Sequence, residues 1–227
     1  MTTAASDTVT RNLAGLRARI ERAGGDADRV TIVAVTKQQP DTVVGDALAA
    51  GLRDLGENRT DALVERATAQ TDAAIRWHFL GQIQRNKIGK VAPHVALWQS
   101  VDRPELGPAI AKHAPGARVL VEVNLTDDPN RGGTSLVTVP SLVSDLTAEG
   151  LVVLGLMAVG PIGDAEVARP GFSAITRMAD SLGLAVRSFG MSNDVEVAVE
   201  CGSTMVRVGT GLFGARAGHR DFTNRAT

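Results

Sequence analysis

The sequence predicts an α/β protein, a single closed (β/α)₈ TIM barrel, on the basis of three observations. Apolar stretches of strand length recur eight times along the chain, between segments with helical spacing of apolar residues. These stretches are nearly continuous apolar runs, which is typical of a parallel sheet covered by helices. The 227 residues accommodate eight such units at the compact end of the barrel size range. A doubly wound open sheet is the structural alternative.

The predicted strands are separated by enough chain for a helix to connect each pair. In order they are Val30–Thr36, Asp54–Gly56, Trp77–Leu80, Val95–Gln99, Val119–Asn124, Val152–Met157, Ala185–Phe189 and Met205–Val208. The predicted crossover helices are Asp41–Gly51, Arg59–Ala69, Pro104–His113, Thr138–Glu149, Gly171–Leu182 and Val195–Cys201. Several of these helices begin on turn or capping residues and end on glycine. The stretch Gln84–Val91 is the weakest crossover because it is short and basic.

The two ends of the chain lie outside this repeating pattern. An extra N-terminal helix over about Val9–Ala23 precedes the first strand, and it either closes the bottom of the barrel or packs outside it. No linker rich in proline, glycine or serine separates a second domain, so residues 1–227 are expected to form one domain. Residues 1–8 and 215–227 are expected to be flexible tails.

The composition excludes several classes of function. The net charge of −1 gives no electrostatic reason to expect nucleic acid or an anionic membrane as a partner. The segment Met1–Thr10 lacks the pattern of a signal peptide, and no apolar run approaches membrane-spanning length, so we expect a cytoplasmic protein. A single cysteine, Cys201, excludes an internal disulfide and a cysteine-based metal site. The four histidines lack metal-ligand spacing, so no metal site is expected.

Lys37 is the most informative residue of the chain. It ends the β-branched run from Val30 and is followed closely by Pro40, which indicates a buried strand that stops with an amine at its tip. Partial burial of an amine disfavours its charged form, which lowers the pKa and makes the amine a competent nucleophile toward a carbonyl. Lys37 is therefore a Schiff-base candidate. A snorkelling or ion-paired lysine is the alternative for this residue taken alone.

Two loops of small residues follow the seventh and eighth predicted strands. In an α/β barrel, the loops at these places commonly bind phosphate, and their backbone N–H groups suit an anion. The first loop contains Ser192, and the second contains Gly209 and Thr210. Ser192 taken alone is more typical of a helix start, but two such loops on adjacent strands predict an anion site. Barrel closure places the first strand beside the eighth, so we expect Lys37 to face the second loop.

Arg207 discriminates between the reactions that this arrangement allows. An amine beside a phosphate-binding loop suits pyridoxal phosphate, and it suits equally a phosphosugar handled through a Schiff base. Arg207 lies two residues before Gly209, and we expect it to point toward the barrel mouth. A guanidinium only donates hydrogen bonds, so a pyridine nitrogen that faces it stays unprotonated, and the ring is then a poor electron sink. A strand-end ion pair is the alternative for Arg207.

Short motifs occur in order over nearly the whole chain, from about Val30 to Gly214. They are Val33–Lys37 with Pro40, Gly56–Arg59, Trp77–Lys87, Ser100–Asp102, Val123–Asn124 with Gly132, Gly155–Met157, Gly190–Asp194 with Glu196, and Val206–Thr210 through Phe213–Gly214. Together these motifs resemble the pyridoxal phosphate homeostasis protein family. Each motif alone is unspecific, but the combination is highly specific.

The resemblance implies a TIM barrel of the alanine racemase N-terminal type that acts in intracellular pyridoxal phosphate homeostasis without robust catalysis. It implies that Lys37 holds pyridoxal 5'-phosphate as a Schiff base, that Arg207 faces the pyridine nitrogen and that Asn58 lines the pocket. The residues that it assigns to the phosphate are Ser192, Gly209 and Thr210. The expected partners are pyridoxal phosphate and, as recipients, pyridoxal-phosphate-dependent apo-enzymes. We expect the protein to be a monomer.

Three alternative functions stay open at this point: a weak pyridoxal-phosphate-dependent racemase or lyase, a phosphosugar aldolase, and an interaction protein that senses the cofactor. Two-base racemisation needs a proton-transferring group on each face of the imine, and the chain has no tyrosine to serve the second face. The aldolase is disfavoured because no acid-base dyad is evident near the fourth to sixth strands.

A few other polar residues receive structural interpretations. His78 lies on an apolar strand, so we expect it to be packed or hydrogen-bonded in the core. Glu57 and Arg59 flank Asn58, and they are expected to form an ion pair that orders the loop. The basic face is the set Arg85, Lys87 and Lys90. A solvated surface is the ordinary interpretation of this face, and a docking patch for an acidic partner is the alternative.

Overall fold

The computed structural model describes residues 4–126, 128 and 131–214, and it is a closed barrel of parallel strands. The strands are β1 (Thr31–Val35), β2 (Asp54–Glu57), β3 (Arg76–Phe79), β4 (Val95–Val101), β5 (Arg118–Val123), β6 (Val152–Ala158), β7 (Val186–Ser188) and β8 (Met205–Val208). Every predicted strand agrees with an observed strand to within two residues at either end. Because β1 pairs with β8 as well as with β2, the sheet closes, and the open-sheet alternative is excluded.

Helices connect the strands as the sequence predicted, with one addition. They are α1 (Ala4–Arg22), α2 (Thr42–Ala49), α3 (Thr60–Ala69), α4 (Ile88–Val91), α5 (Leu106–His113), α6 (Val139–Ala148), α7 (Arg169–Ser181), α8 (Val195–Glu200) and α9 (Thr210–Phe213). The β3–β4 crossover is indeed the weakest, because α4 is a single turn between the 3₁₀ segments Arg85–Lys87 and Ala92–His94. The sequence did not predict α9, because one turn is too short to give a periodic pattern.

The N-terminal helix begins earlier than predicted. α1 starts at Ala4, so residues 4–8 are helical, although the sequence assigned them to a flexible tail. Packing explains the difference: Ser6 and Val9 are buried, and the side-chain amide of Asn12 donates a 2.8 Å hydrogen bond to the carbonyl of Leu212. The helix contacts α2, α8 and α9, so it packs outside the barrel. The predicted tail 215–227 lies outside the described residues, as do residues 1–3.

Alternation of side chains along the strands divides the core into two layers. The outer layer lies between the sheet and the helices and contains most of the buried apolar side chains, among them Leu55, Trp98 and Val121. The inner layer lies inside the barrel, where strands that are not neighbours in the sheet meet. Its apolar cluster is Val33, Leu97, Leu120, Met157 and Met205. The inner layer also contains buried polar side chains, so it is less apolar than the outer one.

His78 is the polar residue of β3 that the sequence assigned to the core. It is buried, and its ring nitrogens lie 3.0 Å from a carboxylate oxygen of Asp54 and 2.6 Å from the side-chain amide of Gln99. The prediction of a hydrogen-bonded core histidine is confirmed. Among the helices that the structure describes, none has the length and apolar character needed to cross a bilayer.

Candidate functional site

The loops after β7 and β8 lie side by side at one rim of the barrel. The hydroxyl of Ser192, in the first loop, accepts a 3.0 Å hydrogen bond from the backbone N–H of Gly211, in the second. Gly209 and Thr210 directly precede Gly211, and Thr210 is exposed. The structure therefore brings together the three residues of the predicted anion site.

Gly209 lies against the end of β1. The strand register pairs Ala34 with Val208, which places Gly209 beside Val35. A Cβ atom at position 209 would lie 3.0 Å from the carbonyl oxygen of Val35, so a side chain there would push the two strand ends apart. Lys37 follows Val35 by two residues. The turn that carries the amine and the loop after β8 therefore belong to the same rim, as barrel closure predicted.

Lys37 occupies a turn directly after β1, and it is half-buried. Lys37 follows Val35, which alternates to the same side of β1 as the inner-layer residue Val33. The next residue, Gln38, has a φ of 59°, a left-handed conformation that costs a non-glycine residue about 1 kcal/mol. The N–H of Gln39 donates a 3.2 Å hydrogen bond to the carbonyl of Thr36 and closes the turn. The strand ends where the sequence predicted.

Arg66, on α3, holds this turn from the outer layer. Its guanidinium donates hydrogen bonds of 2.7 Å to the carbonyl of Thr36 and 2.6 Å to the carbonyl of Gln39, on either side of Lys37. It also forms a buried ion pair of 2.6 Å with Glu57, at the end of β2. The hydroxyl of Thr36 donates a 2.8 Å hydrogen bond to the same carboxylate. These contacts join β1 and β2 to α3 and fix the backbone that carries Lys37.

The predicted ion pair between Glu57 and Arg59 is wrong. Glu57 and Leu55 alternate to the outer side of β2, where Glu57 meets α3 rather than the loop. Arg66 lies within that helix and reaches the carboxylate, whereas Arg59 precedes the helix and is exposed. Proximity in the sequence suggested the wrong partner, because the helix brings a more distant arginine back against the sheet.

Asn58 follows Glu57 on the same rim, and it is exposed. Its backbone N–H donates a 3.2 Å hydrogen bond to the carboxylate of Glu57. Its carbonyl packs so closely against Gly81 that a Cβ atom there would lie 1.9 Å from the oxygen. The ends of β2 and β3 are therefore in tight contact, which explains why position 81 of the Trp77–Lys87 motif is glycine.

Arg207 lies in the inner layer, where it is almost completely buried. Its guanidinium donates hydrogen bonds of 2.6 and 2.8 Å to the carbonyl and hydroxyl of Ser188, and one of 2.8 Å to the carbonyl of Ala158. Burial lowers the pKa of Arg207 to about 10, against the opposing effect of the Glu122 and Asp194 carboxylates. Within the described part of the chain, the guanidinium thus binds carbonyls and a hydroxyl rather than a carboxylate, and the ion-pair alternative is not observed.

Glu122 is an inner-layer residue that the sequence analysis missed. It lies on β5 and alternates to the same side as Leu120, inside the barrel. Burial raises the pKa of Glu122 to about 7, and the Asp102 carboxylate adds to this, while Arg207 and Arg131 oppose it. The signal was present in the sequence, because a glutamate in the middle of an apolar strand is unusual. Glu122 is therefore a buried carboxyl group on the fifth strand that can hold a proton near neutral pH.

The basic face lies on the surface. Lys90 forms a 2.6 Å ion pair with Asp61, and both side chains are more than half exposed. Arg85 and Lys87 belong to the short 3₁₀ segment before α4, and Arg85 is exposed. Within residues 4–126, 128 and 131–214, no group of three or more His, Cys, Asp or Glu side chains is arranged to hold a metal ion.

A model of the family described as alanine racemase, N-terminal domain, matches residues 6–217. The chain belongs to this family. Two curated relatives in bacteria are named pyridoxal phosphate homeostasis protein, so the resemblance drawn from the motifs is confirmed. The relative in Pseudomonas aeruginosa is 34% identical over 221 residues, which cover 92% of this chain and 96% of the relative. The relative in Deinococcus radiodurans is 38% identical over 206 residues, which cover 88% of this chain and 97% of the relative.

A solved structure gives the same result for the fold. PipY of Synechococcus elongatus, solved with PLP bound, superposes with a TM-score of 0.79 at 29% sequence identity. The match covers 91% of this chain and 100% of the PipY chain. The structure of PipY without PLP matches with a TM-score of 0.81. The alanine racemase N-terminal fold predicted from the motifs is thus confirmed over most of the chain.

Proposed function

We propose that this protein holds pyridoxal 5'-phosphate at the barrel mouth as a Schiff base on Lys37, for cytoplasmic homeostasis of this cofactor without robust catalysis. One observation carries the proposal: a half-buried lysine turn, two joined small-residue loops and a buried arginine share one rim of the barrel. The names of the curated relatives and the PLP-bound PipY structure support the same cofactor.

The phosphate is assigned to the side of the mouth formed by the loops after β7 and β8. Gly209 lets the second loop pack closely against the end of β1, and the Ser192 hydroxyl is tied to this loop through Gly211. Thr210 adds an exposed hydroxyl. Small residues with backbone N–H groups and hydroxyls are the groups that bind phosphate in barrels of this type.

Lys37 and Arg207 are assigned to two other groups of the cofactor, the aldehyde and the pyridine nitrogen. The amine of Lys37 adds to the aldehyde carbon, and the C=N bond forms as one water molecule leaves. Arg207 donates a hydrogen bond toward the pyridine nitrogen and keeps that nitrogen unprotonated, because a guanidinium has no proton to lose near neutral pH. The bound cofactor supplies only weak electron withdrawal in this state, which accounts for a holding role. Asn58 is assigned to the pocket wall beside Lys37.

A weak racemase or lyase is the second candidate, and the observation that favours it is Glu122. A buried carboxyl group with a pKa near 7 is suited to accept and donate a proton at physiological pH. Exchange of the α-proton of an amino acid with deuterated water, followed by NMR, measures this activity. Exchange at about 1 s⁻¹ or faster, abolished by Glu122→Gln, would establish an enzyme.

The direct test of cofactor binding is spectroscopic. The purified protein should absorb visible light, and reduction with borohydride should leave the cofactor mass on the peptide that contains Lys37. Lys37→Ala should abolish both signals, whereas Lys112→Ala, at an exposed lysine of α5, should change neither. A wild-type protein that stays colourless after incubation with pyridoxal phosphate would refute the proposal.

We also propose that the loaded protein passes its cofactor to pyridoxal-phosphate-dependent apo-enzymes, and that it does so as a monomer of 23.7 kDa. The exposed Thr210 at the mouth supports direct exchange with the surroundings. An apo-aminotransferase should regain activity when mixed with the loaded protein, and light scattering should give the monomer mass. Recovery that disappears in the presence of a scavenger of free pyridoxal phosphate would exclude direct transfer.

A further inference from the structure

A chain of hydrogen-bonded polar side chains crosses the inner layer of the barrel. His78 Nε2 lies 3.0 Å from Asp54 Oδ1, and His78 Nδ1 lies 2.6 Å from Gln99 Nε2. The hydroxyl of Ser188 donates a 2.7 Å hydrogen bond to Gln99 Oε1, and Arg207 Nη1 donates one of 2.8 Å to Ser188 Oγ. We name these five residues the polar relay. It connects β2, β3, β4, β7 and β8.

The stability of the barrel does not explain why the polar relay is buried in its interior. A barrel interior is ordinarily filled with branched apolar side chains, and buried polar groups are tolerated only when they are hydrogen-bonded. Gln99 and Ser188 are fully buried and His78 nearly so. Their presence in the layer that leads to the candidate site therefore calls for a functional explanation.

The groups at the two ends of the polar relay fix the direction in which its hydrogen bonds are donated. Arg207 only donates, so Ser188 Oγ accepts from it and donates its own proton to Gln99 Oε1. The amide nitrogen of Gln99 then faces His78 Nδ1, which accepts, so that Nε2–H donates to Asp54. Burial alone would raise the pKa of Asp54, but hydrogen bonds from His78 and Arg76 outweigh it and lower the pKa to about 2. The relay thus runs from a cation to an anion.

We propose that four residues of the relay, Asp54, His78, Gln99 and Ser188, are positioning residues that orient the Arg207 guanidinium. They do so without neutralising its positive charge, which can then interact with the bound cofactor. The proposal rests on the proposed function, in which Arg207 faces the pyridine nitrogen. A carboxylate in direct contact would orient the guanidinium equally well, but it would neutralise the charge. The relay supplies the same orientation without direct contact between the Asp54 carboxylate and the guanidinium, because three side chains intervene along it.

The test is to cut the polar relay at a distance from the site. Gln99→Leu keeps the side-chain volume and removes the middle of the relay, and Asp54→Asn removes the charge at its far end. Each change should make the loaded protein release pyridoxal phosphate faster. For Gln99→Leu the increase should be about tenfold, because the hydrogen bond that the charged Arg207 guanidinium donates to the cofactor is weakened when the guanidinium is less well oriented. The visible absorbance of the loaded protein should also titrate at a different pH in each variant.

Combining Asp54→Asn with Gln99→Leu shows whether Asp54 acts on Arg207 through the relay or only destabilises the protein. If Asp54 acts through the relay, Asp54→Asn should have no further effect on release or on the absorbance titration once Gln99→Leu is present. Two controls match the changes: Met157→Leu alters an inner-layer side chain beside Ser188 but removes no hydrogen bond of the relay, and Arg76→Gln removes the surface partner of Asp54. Both controls should release the cofactor at the wild-type rate. Independent, multiplying effects of the two relay changes would overturn the proposal.

A cofactor-free measurement separates this proposal from the proposed function. In ligand-free protein, hydrogen exchange of the Arg207 guanidinium N–H groups, observed by NMR, should be faster in Gln99→Leu than in Met157→Leu. Should Gln99→Leu fail to fold, Ser188→Ala cuts the relay at the next link and should give the same acceleration. Unchanged exchange in the relay variants would refute the positioning role. A wild-type protein that binds no pyridoxal phosphate would refute the proposed function, while the exchange data would still decide whether the relay orients Arg207.

Discussion

The outer and inner layers of the barrel core are built from different kinds of side chain. The outer layer is almost entirely apolar and includes the fully buried Trp98, Ile110 and Phe172. The inner layer combines a small apolar cluster with the buried polar side chains of His78, Gln99, Ser188 and Arg207. Burial of apolar surface stabilises a fold, whereas burial of polar groups at best offsets their loss of hydration. The outer layer therefore contributes most of the stability of the barrel, whereas the inner layer carries the polar side chains next to the candidate site.

Arg66 is an exception to this division, because it is an outer-layer residue that holds the Lys37 turn. Its substitution is expected to have the largest effect of those described here. Arg66→Met leaves the Glu57 carboxylate buried without its partner, which typically costs about 3–5 kcal/mol of unfolding free energy. The variant should also bind less pyridoxal phosphate, because the carbonyls of Thr36 and Gln39 lose their donor. Urea unfolding and cofactor titration at a low temperature, where the variant stays folded, measure the two effects.

The matched control for Arg66 is an arginine that is paired on the surface. Arg19 forms two hydrogen bonds with Glu196, and both side chains are partly exposed. Arg19→Met should therefore cost no more than about 1 kcal/mol and should leave cofactor binding unchanged. Equal losses of cofactor binding in the two variants would mean that Arg66 has no special relation to Lys37.

Ile110→Ala tests the outer layer at a residue that does not belong to the candidate site. Ile110 is fully buried on α5, and its truncation should lower the unfolding free energy by about 3 kcal/mol through lost burial and a cavity. Once folded, the variant should bind pyridoxal phosphate with wild-type affinity. A large loss of affinity in folded Ile110→Ala protein would contradict the separation of the two layers.

Glu122→Gln tests the inner layer through the pH dependence of stability. The folded protein holds the Glu122 proton up to a pKa of about 7, whereas an ordinary glutamate has a pKa of 4.5. Between these pH values the folded state binds more protons than the unfolded state, so the wild type loses stability as pH rises. Glu122→Gln removes this loss, and its stability relative to the wild type should increase by about 2–3 kcal/mol from pH 4 to pH 8.

The measurement for Glu122 is urea unfolding of both proteins without cofactor at several pH values. The difference between the two proteins isolates Glu122, because other titrating groups largely cancel. A difference that stays constant from pH 4 to pH 8 would show that Glu122 titrates normally, and the acid-base argument for a weak racemase or lyase would then fail.

Gln38→Gly is expected to have the smallest effect. Glycine adopts the left-handed conformation of this position without steric cost, but it also increases the entropy of the unfolded chain. The two effects should leave the variant about 0.5 kcal/mol more stable, with the Lys37 turn intact. Thermal unfolding gives the stability, and cofactor titration reports the turn. A clear loss of stability would indicate that the Gln38 side chain makes a contribution of its own.

Much of the fold was predictable because it is encoded in local patterns. The eight apolar runs were sufficient to place all eight strands, and the order of the strands then placed Lys37, Ser192 and Gly209 at one rim. The boundaries were less predictable where packing extends an element. Helix α1 reaches back to Ala4 because Ser6 and Val9 are buried against other parts of the molecule.

The polar contacts of the candidate site were less predictable than its location. The sequence suggested Arg59 as the partner of Glu57, but the barrel brings Arg66 to it instead. Nothing local to β4 indicates that Gln99 bridges His78 and Ser188, since the three residues are far apart in the chain.

The sequence by itself determined the strand order, the rim that carries the candidate site and the family to which the chain belongs. These features follow from periodicity and from short motifs, which depend on near neighbours along the chain. Only the tertiary structure decided how Lys37 is held, what Arg207 binds and how Glu122 retains its proton. Those properties depend on distances between residues of different strands and on the exclusion of water, and both arise only when the barrel closes.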